Sequence, residues 1–305
     1  MASTLVIVLA ETRASEITFQ SFNENLLCAF DADLALCIAE NDREDTSNPF
    51  YRSARYVWSL PEPEDWGKVF DEFQEQMGIH KDWRQLLQIK KQWLGGVEGE
   101  GAHLGSAGIL LAFRWFLKRS LIDSGLVERY TRFIVTRSDF VHRAPHLPAS
   151  ELDPRFIWVA NGENYGGLTD RHIVASQSDI LDVLSVGEDL LVDPQLLFDR
   201  MEHRDDWNLE RLIFAEFERM GLRERVRRFP YTMYSVRPKG GHTRWSEGDY
   251  KKRLGYYVKY NGEYRAASIS RLVARDRTWS ARKVWLANHA IAIDRDLMRL
   301  WNKVF

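Results

Sequence analysis

The chain has 305 residues, 45% of them hydrophobic, enough to bury the core of one large domain or two small ones. Its 42 lysines and arginines stand against 44 aspartates and glutamates, a net charge of −2 that gives no general attraction for nucleic acid or an anionic membrane. The two cysteines, Cys28 and Cys37, lack metal-ligand spacing and are too few for a disulfide framework, so both are expected as buried, reduced thiols.

Residues 5–9, LVIVL, read as a first buried strand. No basic residue precedes the run, it is too short for a signal peptide, and Glu11 and Arg13 follow directly. A cytoplasmic protein is expected, since no stretch approaches the ~18 apolar residues of a membrane helix. Residues 15–30 place Ile17, Phe19, Phe22, Leu26 and Leu27 near helical spacing, with Ser15 as N-cap. Residues 33–39, DLALCIA, form the next strand. Strand, helix and strand in this succession predict a parallel sheet with helices on its faces. Residues 41–53 read as a loop, and residues 56–60 as a third strand ended by Pro61 and Pro63.

From 65 to 93 the pattern is helical but uneven, with Trp66, Phe70, Phe73, Trp83, Leu86, Leu87 and Trp93 on the buried faces. The six glycines of residues 95–108 lack the Lys-Ser/Thr ending of a phosphate loop and are expected to form a mobile active-site loop. An apolar helix, 109–127, leads into FIVTRSDF at 133–140. There Phe133, Ile134 and Val135 make a short buried strand that runs into Arg137-Ser138-Asp139, groups a core would not accept. Ligands of open α/β sheets bind at the carboxyl ends of strands, which makes Asp139 the first candidate for chemistry. A second polar stretch, NGENYGGLTDRH, follows at 161–172. Helices are predicted at 178–185, 194–201 and 208–220, the last stopped by Gly221. Strand-like pieces at 231–236 and 255–260 lie in a C-terminal part rich in Arg, Tyr and Trp.

At FIVTRSDF and YGGLTDRH the sequence resembles nucleotide-sugar-dependent glycosyltransferases of the GT-A type that build surface glycans such as capsule and lipopolysaccharide. The first strand with Glu11-Thr12-Arg13 resembles that family's nucleotide-binding turn, and the likeness spans roughly residues 5–240 by element order. It implies an α/β fold with a Rossmann-like, mostly parallel sheet flanked by helices over residues 1–240, and an α+β extension, 241–305, packed on it. It also implies a nucleotide-sugar donor, a glycan acceptor and a divalent ion, Mn²⁺ or Mg²⁺. In the family the strand ends in Arg-x-Asp or Asp-x-Asp, whose last carboxylate helps hold the metal on the diphosphate. Here that residue is Asp139, while Arg137 replaces the first aspartate and suits phosphate oxygens directly.

A literal Asp-x-Asp, Asp31-Ala32-Asp33, stands at the opposite edge of the sheet and reads as a helix-to-strand turn. In the second stretch, two glycines are expected to bring backbone near a ligand. Asp170 is the first candidate there for acceptor base or sugar ligand, with Glu163 behind it. The alternative for Asp170 is an Asx turn or helix cap, and His172 reads as structural. Glu210 fits the first turn of a helix on dipole grounds alone. In RPKGGHTRWS, Arg237, Lys239 and Arg244 are expected to neutralise a diphosphate, and His242 to be a metal ligand, a phosphate contact or a simple surface residue. Arg13 is expected on the nucleotide. Lys251 and Lys252 read as a solvated face. The aromatics Tyr256, Tyr257, Tyr260, Tyr264, Trp279 and Trp285 either pack the extension or stack on sugar.

The reading is therefore a glycosyltransferase. Its rivals are a catalytically inactive carbohydrate-binding or scaffold protein of the same fold and a doubly wound phosphate-ester or nucleotide hydrolase. An Asp139 side chain turned inward against Lys or Arg, remote from both His242 and Asp170, would remove the transferase assignment.

Overall fold

The computed structural model describes residues 2–39, 47–90, 93–240 and 247–304. Its strands, in chain order, are β1 (Thr4–Ala10), β2 (Asp33–Ala39), β3 (Tyr56–Leu60), β4 (Arg132–Thr136), β5 (Phe140–His142), β6 (Ile157–Ala160), β7 (Ile173–Ser176), β8 (Val226–Phe229), β9 (Met233–Arg237), β10 (Asp249–Lys251) and β11 (Tyr256–Val258). Seven of them make one sheet in the order β3-β2-β1-β4-β7-β6-β8. Every neighbouring pair is parallel except the two made by β7, which runs against β4 and β6. This is the mostly parallel, helix-flanked α/β sheet expected from the sequence.

The apolar run of β1 is buried along nearly its whole length because both faces of the sheet are covered. Side chains alternate between the faces. Leu5, Ile7 and Leu9, with Ala35 and Cys37 of β2, join the core beneath helices Gly67–Gln76, Ala107–Asp123 and Leu209–Arg219. Val6 and Val8, with Leu34, Leu36 and Ile38, face Phe22 and Leu26 of the N-terminal helical stretch. That stretch passes from α-helix to a π-helical turn at Asn23–Leu27. Cys37 is buried as expected, whereas Cys28 is exposed.

Two helices of the C-terminal part, Asn261–Val273 and Ala281–Val304, complete the second face with Ala266, Ala287 and Ile291. Sequence reading found strands in this region and not these helices. A smaller sheet, β10-β11-β9-β5, takes β5 and β9 from before residue 240 and β10 and β11 from after it. The chain leaves the main sheet at Thr136 and enters the small one at Phe140, so Asp139 sits at the junction. Of the C-terminal aromatics, Tyr256 bonds the Tyr234 hydroxyl at 2.7 Å, and Trp279 donates to the Pro145 carbonyl at 2.7 Å; Trp285 is exposed.

The glycine-rich loop is closely packed at its start. A Cβ on Gly95 would lie 2.4 Å from the Leu104 carbonyl oxygen, and one on Gly96, at φ +95°, 2.4 Å from the Ile109 side chain. These glycines permit close packing of the loop on itself and on the helix it precedes, and its end, Ser106 and Ala107, lines the cleft described below.

Candidate active site

The carboxyl edge of the main sheet opens into a cleft of about 970 Å³. Ala10, at φ 77°, turns the chain out of β1 and carries Glu11 and Arg13 to its wall. The Ser138 hydroxyl donates to the Glu11 carbonyl at 2.8 Å, tying the turn after β1 to the turn after β4. Asp139 is 1% exposed and lines the cleft. Its oxygens accept from Arg137 Nε and Nη2, both at 3.2 Å, and from Arg237 Nη1. Burial alone would raise this carboxyl; the charges of Arg137, Arg237, Arg13 and Lys259 outweigh it and hold Asp139 ionised far below the usual carboxylate range.

Glu11 pairs with Arg13 at 2.6 Å, and Asp139 is left to balance Arg137, Arg237 and Lys259. Arg237, itself buried, leaves its Nε without a hydrogen-bond partner. Lys259, just after β11, is pushed down to about 7, first by burial and then by Arg137, Arg237 and Arg171. Arg171 adds a further guanidinium on the wall, paired with Glu263 and stacked 4.5 Å over Tyr260. Glu263 also accepts from the Ser235 amide at 2.7 Å and the Tyr231 hydroxyl at 3.1 Å, so the helix after residue 260 fixes Arg171 from behind. Crowded, partly desolvated cations with unused donors are the signature of an anion site.

The other side of the cleft is acidic. Asp170 is held through its main chain: the Arg114 guanidinium, 1% exposed, donates to the Asp170 carbonyl at 3.4 Å and the Val183 carbonyl at 3.3 Å. Glu210 lies in the first turn of the helix capped by Asn208. Burial, then the neighbouring Asp170, pushes its carboxyl up to about 7. The YGG motif explains this juxtaposition. The Leu168 amide donates to the Glu210 carbonyl at 2.9 Å, and a Cβ on Gly167 would stand 2.0 Å from that oxygen. Gly166, at φ +86°, lies against the Arg211 guanidinium. The two glycines bring the loop against a helix end, not against a ligand as the sequence reading had it.

The structure thus brings Arg13, Arg137, Asp139, Asp170 and Arg237 to one cleft. Lys239, exposed two residues past the end of β9, does not line it, and neither does Glu163, whose partner is the Tyr165 hydroxyl. His242 and Arg244 lie outside the described residues. His172 is structural as expected, buried between Thr136 Oγ1 at 2.9 Å and His146 Nε2 at 3.1 Å. Asp33 of the literal Asp-x-Asp pairs with Arg55 at 2.8 Å at the opposite sheet edge. Sequence reasoning missed Lys259, Arg171 and the weight of Glu210. Lys259 carried the same signal as Asp139, a charge following an apolar strand.

Half of the condition set against the assignment is met: Asp139 does point inward against arginines. The other half is not, because Asp139 and Asp170 line the same cleft. Asp139, expected as a metal ligand, stands in this structure among guanidinium groups. Both of its oxygens are taken by guanidinium groups, and the surrounding positive charge opposes a divalent ion. Among the described residues no group of three or more His, Cys, Asp and Glu is placed to hold a metal.

Fold and cleft together define an α/β protein whose cleft sets a cluster of arginines and a lysine opposite the carboxylates of Asp170 and Glu210. No protein-family model and no curated protein matches the chain. Among solved structures it is similar to mouse xyloside xylosyltransferase 1 in its apo form, at 12% identity and a TM-score of 0.40, over 75% of this chain and 86% of that one. What the cleft does chemically follows from its own side chains.

Proposed function

We propose that this protein is a glycosyltransferase that binds a nucleotide-diphosphate sugar in the cleft and passes the sugar to a glycan hydroxyl. The observation that carries the reading is the division of one cleft into a cationic side, Arg13, Arg137, Arg237 and Lys259, and an acidic side, Asp170 and Glu210. The cations bind the diphosphate and neutralise the charge that grows on it as the bond from the sugar's anomeric carbon to the phosphate oxygen breaks. Asp139 is their internal counter-ion and positions them. Glu210, in its ionised form, accepts the proton of the acceptor hydroxyl as that oxygen attacks, with Asp170 a ligand for sugar hydroxyls. Tyr165 and Tyr260 line the same space. The described residues supply the neutralising charge without a metal, and no step here needs one.

Isothermal titration of the purified chain with UDP- and GDP-sugars, in Mn²⁺ and in chelator, tests the reading. Binding of a nucleotide sugar that survives the chelator is expected. Failure to bind any of them ends the proposal.

A further inference from the structure

The charge of the chain is unevenly placed. Residues 261–305 hold nine lysines and arginines against four acids, a net +5, which against −2 overall leaves −7 for the remaining residues. The same segment contains the helix Ala281–Val304, which is docked on the body by Ala287 and Ile291 and by an ion pair of Asp294 with Arg265 at 3.0 Å. Its opposite face is apolar and turned to solvent. Leu286 is 49% exposed, and Ile293, Leu297 and Leu300 are each 61% exposed. Spacings of seven, four and three residues set these four side chains in one stripe along the helix. Trp285 and Trp301, 59% and 60% exposed, stand near its two ends. Exposed Arg282, Arg295 and Arg299 lie on the same helix, outnumbering its exposed acid, Asp296, which stands 3.5 Å from Arg299.

Large apolar side chains left in water in a continuous line mark a docking surface, since a solitary exposed leucine needs no explanation but a row of them does. The charge selects the occupant. A second copy of the helix would bring one +5 segment against another, and its arginines would face like charge. An anionic lipid surface offers opposite charge to the arginines and an acyl boundary to the leucines, with tryptophans suited to the headgroup level. The helix lacks the length of continuous apolar sequence needed to cross a bilayer. We infer that the face of Ala281–Val304 carrying Leu286, Ile293, Leu297 and Leu300 seats this protein on an anionic membrane surface, with the helix lying in the interface plane. This inference is independent of the cleft and of the reaction proposed for it.

The test is sedimentation of the full chain with phosphatidylcholine vesicles containing about 30% phosphatidylserine and with phosphatidylcholine vesicles alone. Preferential binding to the anionic vesicles is expected, weakening as salt is raised. The double variant Ile293→Glu, Leu297→Glu should lose about tenfold or more of that partition. Both positions face solvent, so its circular dichroism and thermal midpoint should match the parent and separate lost binding from lost folding. No association with anionic vesicles, equal association with neutral ones, or unchanged binding by the variant would each overturn the inference. So would light scattering that shows an oligomer which the double variant turns into a monomer, since the stripe would then be covered by a second copy.

Discussion

Glu210 shows how a side chain with an ordinary structural explanation acquires chemistry from its neighbours. At the start of a helix it needs no function, yet burial and Asp170 push its carboxyl up from 4.5 to about 7. The folded protein therefore binds more protons than the unfolded chain between those two values, and stability contributed by this group falls as pH rises through that window. Glu210→Gln is expected to raise the thermal midpoint at pH 8, by a stability gain of about 1–3 kcal/mol, and to leave it unchanged at pH 4. The same variant should lower transfer by ~10²–10⁴-fold, and parental transfer should rise with pH through about 7 as the base ionises. An active Glu210→Gln protein would remove this residue from the mechanism. Asp139 is a poorer probe, because its loss leaves Arg137 and Arg237 with uncompensated buried charge.

At the scale of elements, the contact between the 161–172 loop and the helix Leu209–Arg219 decides whether Asp170 and Glu210 meet. Gly167 is the point of closest approach, with its absent Cβ 2.0 Å from the Glu210 carbonyl oxygen. Main chain on both sides leaves nothing flexible to yield. Gly167→Ala should destabilise the fold by about 1–3 kcal/mol and part the two carboxylates. Turnover should fall more than nucleotide affinity does, since the cationic side stands on β9 and on the turns after β1, β4 and β11 and is untouched; equal losses in both would count against a divided cleft. The small sheet matters in the same way. It carries Arg237 and leads into Lys259, and the helix that follows provides Glu263, so the part beyond residue 240 supports the cationic side of the cleft from behind.

For the whole molecule, three buried histidines govern the response to acid. Burial pushes His142 down to about 3 and His146 to about 4, and His172 well below its ordinary value. Below about 6.5 the unfolded chain takes up protons that the folded one does not, so this stability is present at neutral pH and is lost as pH falls toward the folded values. Glu210 works in the opposite direction over part of that window. The net loss between pH 6 and pH 5 should be about 2 kcal/mol, read from denaturant midpoints. His142, with neither ring nitrogen bonded, is the cleanest position to change: His142→Leu should flatten the slope, and an unaltered slope would place the titration elsewhere.

The sequence by itself determined the sheet and the address of the site. Continuous apolar runs at residues 5–9 and 33–39 mark strands buried on both faces, and polar groups after residues 10 and 136 mark the carboxyl edge, because this patterning lies in neighbouring positions of the chain. It also picked Arg13, Arg137, Asp139, Asp170 and Arg237, which all reach the cleft. Only the tertiary structure decided what they do there. That Asp139 is a counter-ion among arginines, that Glu210 titrates near neutrality and that Lys259 completes the cation cluster depend on charges that come within a few ångströms of one another across more than a hundred positions of sequence. A carboxylate's affinity for a proton or a metal is set by desolvation and nearby charge, and neither quantity exists until the chain has folded.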